Sequence, residues 1–255
     1  MKGILLIIAV VCTFSAFGQD SFEYKCPDGQ KLTFRKTSPV DVEVARNIRK
    51  PYDYVNIVIP SQITIKGTTY TVSAIGDAFQ DYTWLKTVVI PNTVVSIGDM
   101  AFKGCTGLTQ IIIPESVKSI GRWAFEFCTM LKTVEIPNST IEIKDFAFEG
   151  CTTLKSVKLG SSVQVIGRGA FRYCSRLVEF KGLRPEIIMG ADVFFQCAFS
   201  SENKNTKGDP FEQFAKKYIV PRLKEWQKKR EFETTAQYMT RVTKENQDKK
   251  LMSYC

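Results

Sequence analysis

An aromatic residue, a thiol and an aliphatic residue recur in this chain every 23 residues. Phe79, Phe102, Phe125, Phe148, Phe171 and Phe194 keep that spacing, and Cys105, Cys128, Cys151, Cys174 and Cys197 each follow their Phe by three residues. Leu85, Leu108, Leu131, Leu154 and Leu177 share the period. A unit this short cannot close a core of its own, but stacked copies bury a continuous one. The ladder therefore predicts a solenoid, an architecture that most often serves binding.

One repeat reads Leu-x-x-Val-x-Ile-Pro-x-x-Val-x-x-Ile-Gly-x-x-Ala-Phe-x-x-Cys-x-x, clearest in the copies that begin at Leu108, Leu131 and Leu154. The first, fourth and sixth residues should point inward from a short strand, which Pro then ends. Val and Ile three apart build a second wall, Gly is expected to permit a turn, and Ala-Phe packs the returning segment. Twenty-three residues are too few for a strand plus a full helix, so the returns are expected to be extended or brief 3₁₀ turns. The predicted fold is mainly parallel β, with an N-terminal β cap and a C-terminal α-helical tail.

The boundaries follow from the pattern. Residues 19–56 read as the cap, with strand-like stretches at Phe22–Tyr24, Lys31–Phe34 and Val40–Val44 and a Pro27-Asp28-Gly29 turn. The solenoid spans 57–199, with a hairpin around Lys66-Gly67 protruding from its first coil. Residues 200–210, SSENKNTKGDP, read as a linker. In 211–255, Phe211, Phe214, Ala215, Tyr218, Ile219, Leu223 and Trp226 share one helical face, Pro221 interrupts it, and a second helix is expected to about Lys250.

The first 18 residues read as a signal peptide, with Lys2, an apolar run from Gly3 to Phe14, and small residues around Phe17. The run is short of the ~20 residues a spanning helix needs, so no transmembrane span is expected after cleavage following Gly18. Ala-Val-Val before Cys12 is a poor match to a lipoprotein signal. Cleavage would leave Cys26, the five ladder cysteines and Cys255. The ladder thiols read as small buried residues that fill space and satisfy local backbone groups, not as a disulfide framework. Their spacing lacks the close pairs of a structural zinc site, and the chain has no His.

The formal charge of +9 would become +8, with 34 Lys and Arg against 26 Asp and Glu once Lys2 is removed. The excess is dispersed, and the Lys pairs at 216–217, 228–229 and 249–250 sit among Glu residues. That pattern argues for a solvated face and against a nucleic-acid partner.

The coils resemble the BspA-like leucine-rich repeats of secreted and surface proteins of Bacteroidetes. The likeness rests on Ile-Pro at 90–91, 113–114 and 136–137, Ile-Gly at 75–76, 97–98, 120–121 and 166–167, and Ala-Phe at 78–79, 101–102, 124–125, 147–148 and 170–171. The Cys and Leu ladders complete it. Lys228–Asn246 resembles a helical segment of other Bacteroidetes envelope proteins. The resemblance implies a leucine-rich repeat solenoid acting outside the cytoplasm, whether secreted, surface-bound or periplasmic. Its expected role is adhesion to a protein ligand, such as a host matrix or envelope protein, without catalysis. An alternative is a structural or assembly component of an envelope complex acting through the helical tail.

The strand register places two columns outward. One holds Asn56, Thr87, Gln110, Thr133, Ser156 and Glu179, and the other Val58, Val89, Ile112, Glu135, Lys158 and Lys181. The second is the better ligand site, because three exposed apolar residues lie beside charges. Ligand-binding candidates are thus Val58, Val89, Gln110, Ile112, Glu135, Lys158, Glu179 and Lys181. No catalytic residue, cofactor or metal is expected. Without His there is no Ser-His or Cys-His pair, no Gly-rich loop opens a helix after a strand, and Glu135 and Glu179 are separated by Lys158, a poor acid/base pair. Trp123, Phe127 and Tyr173 fall near the variable turn of their coils.

Overall fold

The structure, a computed structural model, describes residues 21–46, 54–184 and 186–198. The expected signal peptide, linker and helical tail lie outside the described residues.

The described residues open with an antiparallel meander, β1 (Ser21–Lys25), β2 (Lys31–Lys36) and β3 (Asp41–Ala45). Leu32, Phe34, Val42 and Val44 alternate inward and are buried, as period-two patterning dictates. β3 then pairs in parallel with β6 (Thr68–Ile75), so the meander joins the end of the solenoid sheet and covers its first rung. The hairpin is present. β5 (Gln62–Ile65) pairs antiparallel with β6 around Lys66-Gly67, both with positive φ.

From β6 a parallel sheet continues through β8 (Ser96–Ile97), β9 (Ser119–Ile120), β11 (Glu142–Ile143), β13 (Val165–Ile166) and β15 (Ile188–Met189). Between β8 and β15 each residue faces the one 23 positions later, Ile97 against Ile120 and Glu142 against Val165. The opposite wall carries β4 (Asn56–Val58) with β7 (Thr87–Val89), and β10 (Thr133–Glu135) with β12 (Ser156–Lys158) and β14 (Glu179–Lys181).

The ladder residues form the core. Phe79, Phe102, Phe125, Phe148 and Phe171 stack with centroids 4.9–5.3 Å apart. Rings in identical environments on successive rungs can only stack along the axis, within the range where aromatic pairs attract. Each ladder thiol is buried, and its Sγ lies 3.0–3.2 Å from the carbonyl oxygen of the Phe one coil back. This is the space-filling, backbone-satisfying role expected of them. Thr140, where other coils have Val, is buried too and donates to the Val117 carbonyl at 2.9 Å.

Two expectations are corrected. Of the two forms expected for the returns, the extended one is not found, and the brief 3₁₀-type turn occurs singly, never as a run. The returns are made of single i-to-i+3 turns, such as Lys103 N–H to Met100 and Cys105 N–H to Phe102 carbonyls at 3.1 Å each. Left-handed residues interrupt them at two places per coil. One series is Met100, Trp123, Phe146, Gly169 and Asp192, and the other is Asp81, Gly104, Phe127, Gly150, Tyr173 and Gln196, all with φ between 53° and 71°. A 3₁₀ run cannot pass through a left-handed residue. The glycine after Ile opens a turn, with Ala124 N–H donating to the Gly121 carbonyl at 3.4 Å, but it has no positive φ, so the turn itself does not require Gly. A Cβ on Gly121 would lie 2.4 Å from the Gly98 backbone, so this glycine lets adjacent coils approach.

Candidate functional site

Each short strand of the wall bearing β4, β7, β10, β12 and β14 turns its middle residue inward and its flanks outward. Ile57, Val88, Val134 and Val157 are buried, whereas Val58, Val89, Glu135, Lys158 and Lys181 are exposed. Parallel in-register pairing aligns Val58 with Val89, and Glu135 with Lys158 and Lys181, in the expected columns.

The column is not continuous. Residues 109–113 of the third coil belong to no strand, so the wall divides into a two-stranded block and a three-stranded block. Ile59 N–H donates to the Val89 carbonyl at 3.0 Å, and Ile136 N–H to that of Lys158 at 2.8 Å. Among the described residues, the equivalent bonds from Ile90 to Ile112 and from Ile113 to Glu135 are absent. The sheet on the other wall runs unbroken through the same coil. Three consecutive isoleucines lie at this break. Ile111 and Ile113 are buried, and Ile112 is 76% exposed, the highest value among the exposed large hydrophobic residues described.

A cleft of about 520 Å³ opens there, lined by Gln110, Ile112 and Glu115 of the third coil, Glu135 and Asn138 of the fourth, and Lys158 of the fifth. Its far wall is held by side chains that imitate a ladder. Asn138 N–H donates to Glu115 Oε2 at 3.1 Å, and Ser161 N–H to Asn138 Oδ1 at 3.0 Å. Glu135 and Lys158 pair at 3.4 Å across the rung. Four of the eight candidate residues thus meet in one cleft. Val58 and Val89 lie outside it on the N-terminal block. Glu179 and Lys181 lie outside it on β14, paired with each other at 2.6 Å. The Lys181 hydrogen bond and charge hold the Glu179 carboxyl below its ordinary range.

Trp123, Phe127 and Tyr173 all sit at left-handed turn positions. The Trp123 ring stacks on Phe146 at 6.1 Å, and the Phe127 ring covers Gly150, where a Cβ would approach it to 2.4 Å. Beside them runs a column that the motif reading did not single out: Lys103, Glu126, Glu149 and Arg172, the residues directly after their ladder Phe. Lys103 pairs with the buried Glu126 at 2.6 Å, and Arg172 with Glu149 at 3.8 Å. Burial and then the Glu126 charge push the Glu149 carboxyl up, against Arg172 and Lys103, which pull it down. The strict period would have exposed this Lys-Glu-Glu-Arg row. The column closes seams between coils and presents no reactive pair to solvent. The thiols are also withdrawn from chemistry, because burial raises Cys26 to about 11 and Cys105, Cys128, Cys151 and Cys174 above their ordinary range. Among the described residues no group of three or more His, Cys, Asp or Glu side chains converges as metal ligands would, and no helix is long and apolar enough to cross a membrane.

Several solved structures share this fold, among them the following two. A leucine rich cell surface protein from Faecalibacterium prausnitzii is 28% identical, with a TM-score of 0.58, over 69% of this chain and 52% of that one. The chain therefore spans about half the length of that relative. The leucine-rich repeat protein of T. pallidum is 27% identical, with a TM-score of 0.54, over 69% of this chain and 85% of that one. No curated protein matches the sequence. The BspA type leucine rich repeat region matches residues 73–200 in six copies, half of the chain. With the repeat, its register and its core in agreement, the chain belongs to the BspA-type leucine-rich repeat family.

Proposed function

We propose that this protein is an extracytoplasmic binding or adhesion module that takes a protein ligand on the strand face of its solenoid. Family members are non-catalytic adhesion or structural proteins, and a related chain is described as a cell surface protein. The observation that carries the site assignment is the exposed Ile112 at the break in the strand ladder. A protruding aliphatic residue in a cleft is costly to leave in water and gains about 1.5–3 kcal/mol when covered. Unpaired backbone groups of the same segment offer hydrogen bonds to an extended partner. Gln110, Glu135 and Lys158 would rim the contact, with Val58 and Val89 extending it toward the cap and Glu179 and Lys181 toward the far end.

Ile112→Asp tests the assignment. The variant should melt with the parent, because the side chain it replaces is already outside the core. It should also lose capture of matrix or envelope protein by the immobilised full chain. Undiminished capture by a folded Ile112→Asp protein would sink the proposal.

A further inference from the structure

One edge of the strand face has a composition unlike the rest of the solenoid. It comprises the two residues before each ladder Leu and the two after it, in the five coils that begin at Leu85, Leu108, Leu131, Leu154 and Leu177. Of these twenty positions, ten carry hydroxyls, four are cations and one is an acid. The acid, Glu179, is already taken by Lys181. The cations Lys86, Lys132, Lys155 and Arg176 are exposed, and among the described residues none makes an ion pair. By contrast Lys103, Lys158 and Lys181 each face a carboxylate. Lys155 N–H donates to the Lys132 carbonyl at 2.8 Å, and Val178 N–H to that of Lys155 at 3.0 Å, so these residues are successive rungs, about 4.8 Å apart.

We propose that this edge binds a linear acidic polysaccharide, whose carboxylate or sulfate groups meet Lys86, Lys132, Lys155 and Arg176 and whose hydroxyls meet the Thr and Ser column. Charge-assisted hydrogen bonds to the cations supply the affinity. The hydroxyls suit a polyhydroxylated ligand; Thr87, Thr153 and Ser175 already donate within the protein and offer it only acceptor oxygens. An acidic peptide fits less well, because only three of the twenty positions, Trp84, Met130 and Val178, are large and apolar, and peptide docking depends on buried apolar anchors. Lys132 and Lys155 on adjacent rungs, with Lys86 in the same column two rungs back, also match a polymer that repeats its own charge. This edge shares Gln110 and Glu179 with the proposed protein-binding face, but its four cations lie outside that face and the proposal does not depend on it.

Affinity electrophoresis of the full chain tests the proposal, in gels containing polygalacturonate, dextran sulfate or neutral dextran. One or both anionic polymers should retard the protein, the stronger identifying carboxylate or sulfate as the preferred group, and neutral dextran should not. The Lys132→Glu/Lys155→Glu variant should bind about tenfold more weakly or worse at 150 mM salt, with a shallower salt dependence. The Lys66→Glu/Lys118→Glu variant has the same net charge but lies off this edge, and it should stay within about twofold of the parent. Thermal melting by circular dichroism checks that both variants fold. Equal losses in the two variants would show attraction by net charge alone and overturn the proposal. So would no retardation by either anionic polymer, or displacement by poly-glutamate at lower concentration than by either polysaccharide.

Discussion

The thiol of Cys151 lies 3.2 Å from the carbonyl oxygen of Phe125, 26 residues earlier and one coil away. That oxygen also accepts the N–H of Cys128 at 3.1 Å. One carbonyl therefore ties a turn within its own coil to the next coil of the stack, and the arrangement recurs along the ladder.

Because the carbonyl keeps one partner when the thiol is removed, Cys151→Ala should cost only about 1 kcal/mol, and Cys151→Ser, which retains a donor, less. Urea unfolding measures both. Burial raises Cys105, Cys128, Cys151 and Cys174 above their ordinary range, so a thiol reagent at pH 8 should label these four only at the rate of unfolding.

Phe125 and Phe127 separate core from surface within three residues. Phe125 is fully buried between two parallel rings, whereas Phe127 is 47% exposed at a left-handed turn. Phe125→Ala should destabilise by about 3–5 kcal/mol. Phe127→Ala should cost much less, since its ring is already half exposed where it packs on Gly150. Paired chemical denaturation curves distinguish the two.

Gly121→Ala should destabilise by about 1–3 kcal/mol, because the added Cβ would lie 2.4–2.6 Å from backbone atoms of Gly98 and Asp99. Gly29→Ala is the contrast. Its Cβ would meet nothing within 4 Å, and only its φ of 90° opposes the change. A melting shift for Gly121→Ala no larger than that of Gly29→Ala would refute close approach as the reason for the glycine after Ile.

Glu149 carries a pH dependence of defined sign. Its carboxyl is raised by burial and by Glu126, so the folded state holds its proton more tightly than the unfolded state does. This group's penalty on stability is absent below the unfolded pKa, grows as pH rises through the folded pKa, and is complete above it. Glu149→Gln should therefore raise the melting temperature at pH 7 by up to a few degrees, with the advantage vanishing near pH 4. Gln at 149 also gives up the Arg172 pair, so an unchanged or lower melting temperature at pH 7 would mean that this pair outweighs the cost of burial.

The sequence alone determined the stack. Phe, Cys and Leu at a period of 23, with Ile-Pro and Ile-Gly between them, can be satisfied only by coils that place like on like, and the core matches that reading rung for rung. It also determined which strand residues face outward, because alternation along a strand is local geometry. The break at residues 109–113 was not legible. Ile111, Ile112 and Ile113 fit the strand pattern as well as any copy, and only the ladder across neighbouring coils decides whether their backbone pairs. The choice between Gly for a turn and Gly for close approach was likewise decided by tertiary structure, since it depends on the distance to a backbone 23 residues away. So was the Lys103, Glu126, Glu149 and Arg172 column. Its residue types were visible in the sequence, but charges on separate coils became partners only when the stack set them side by side.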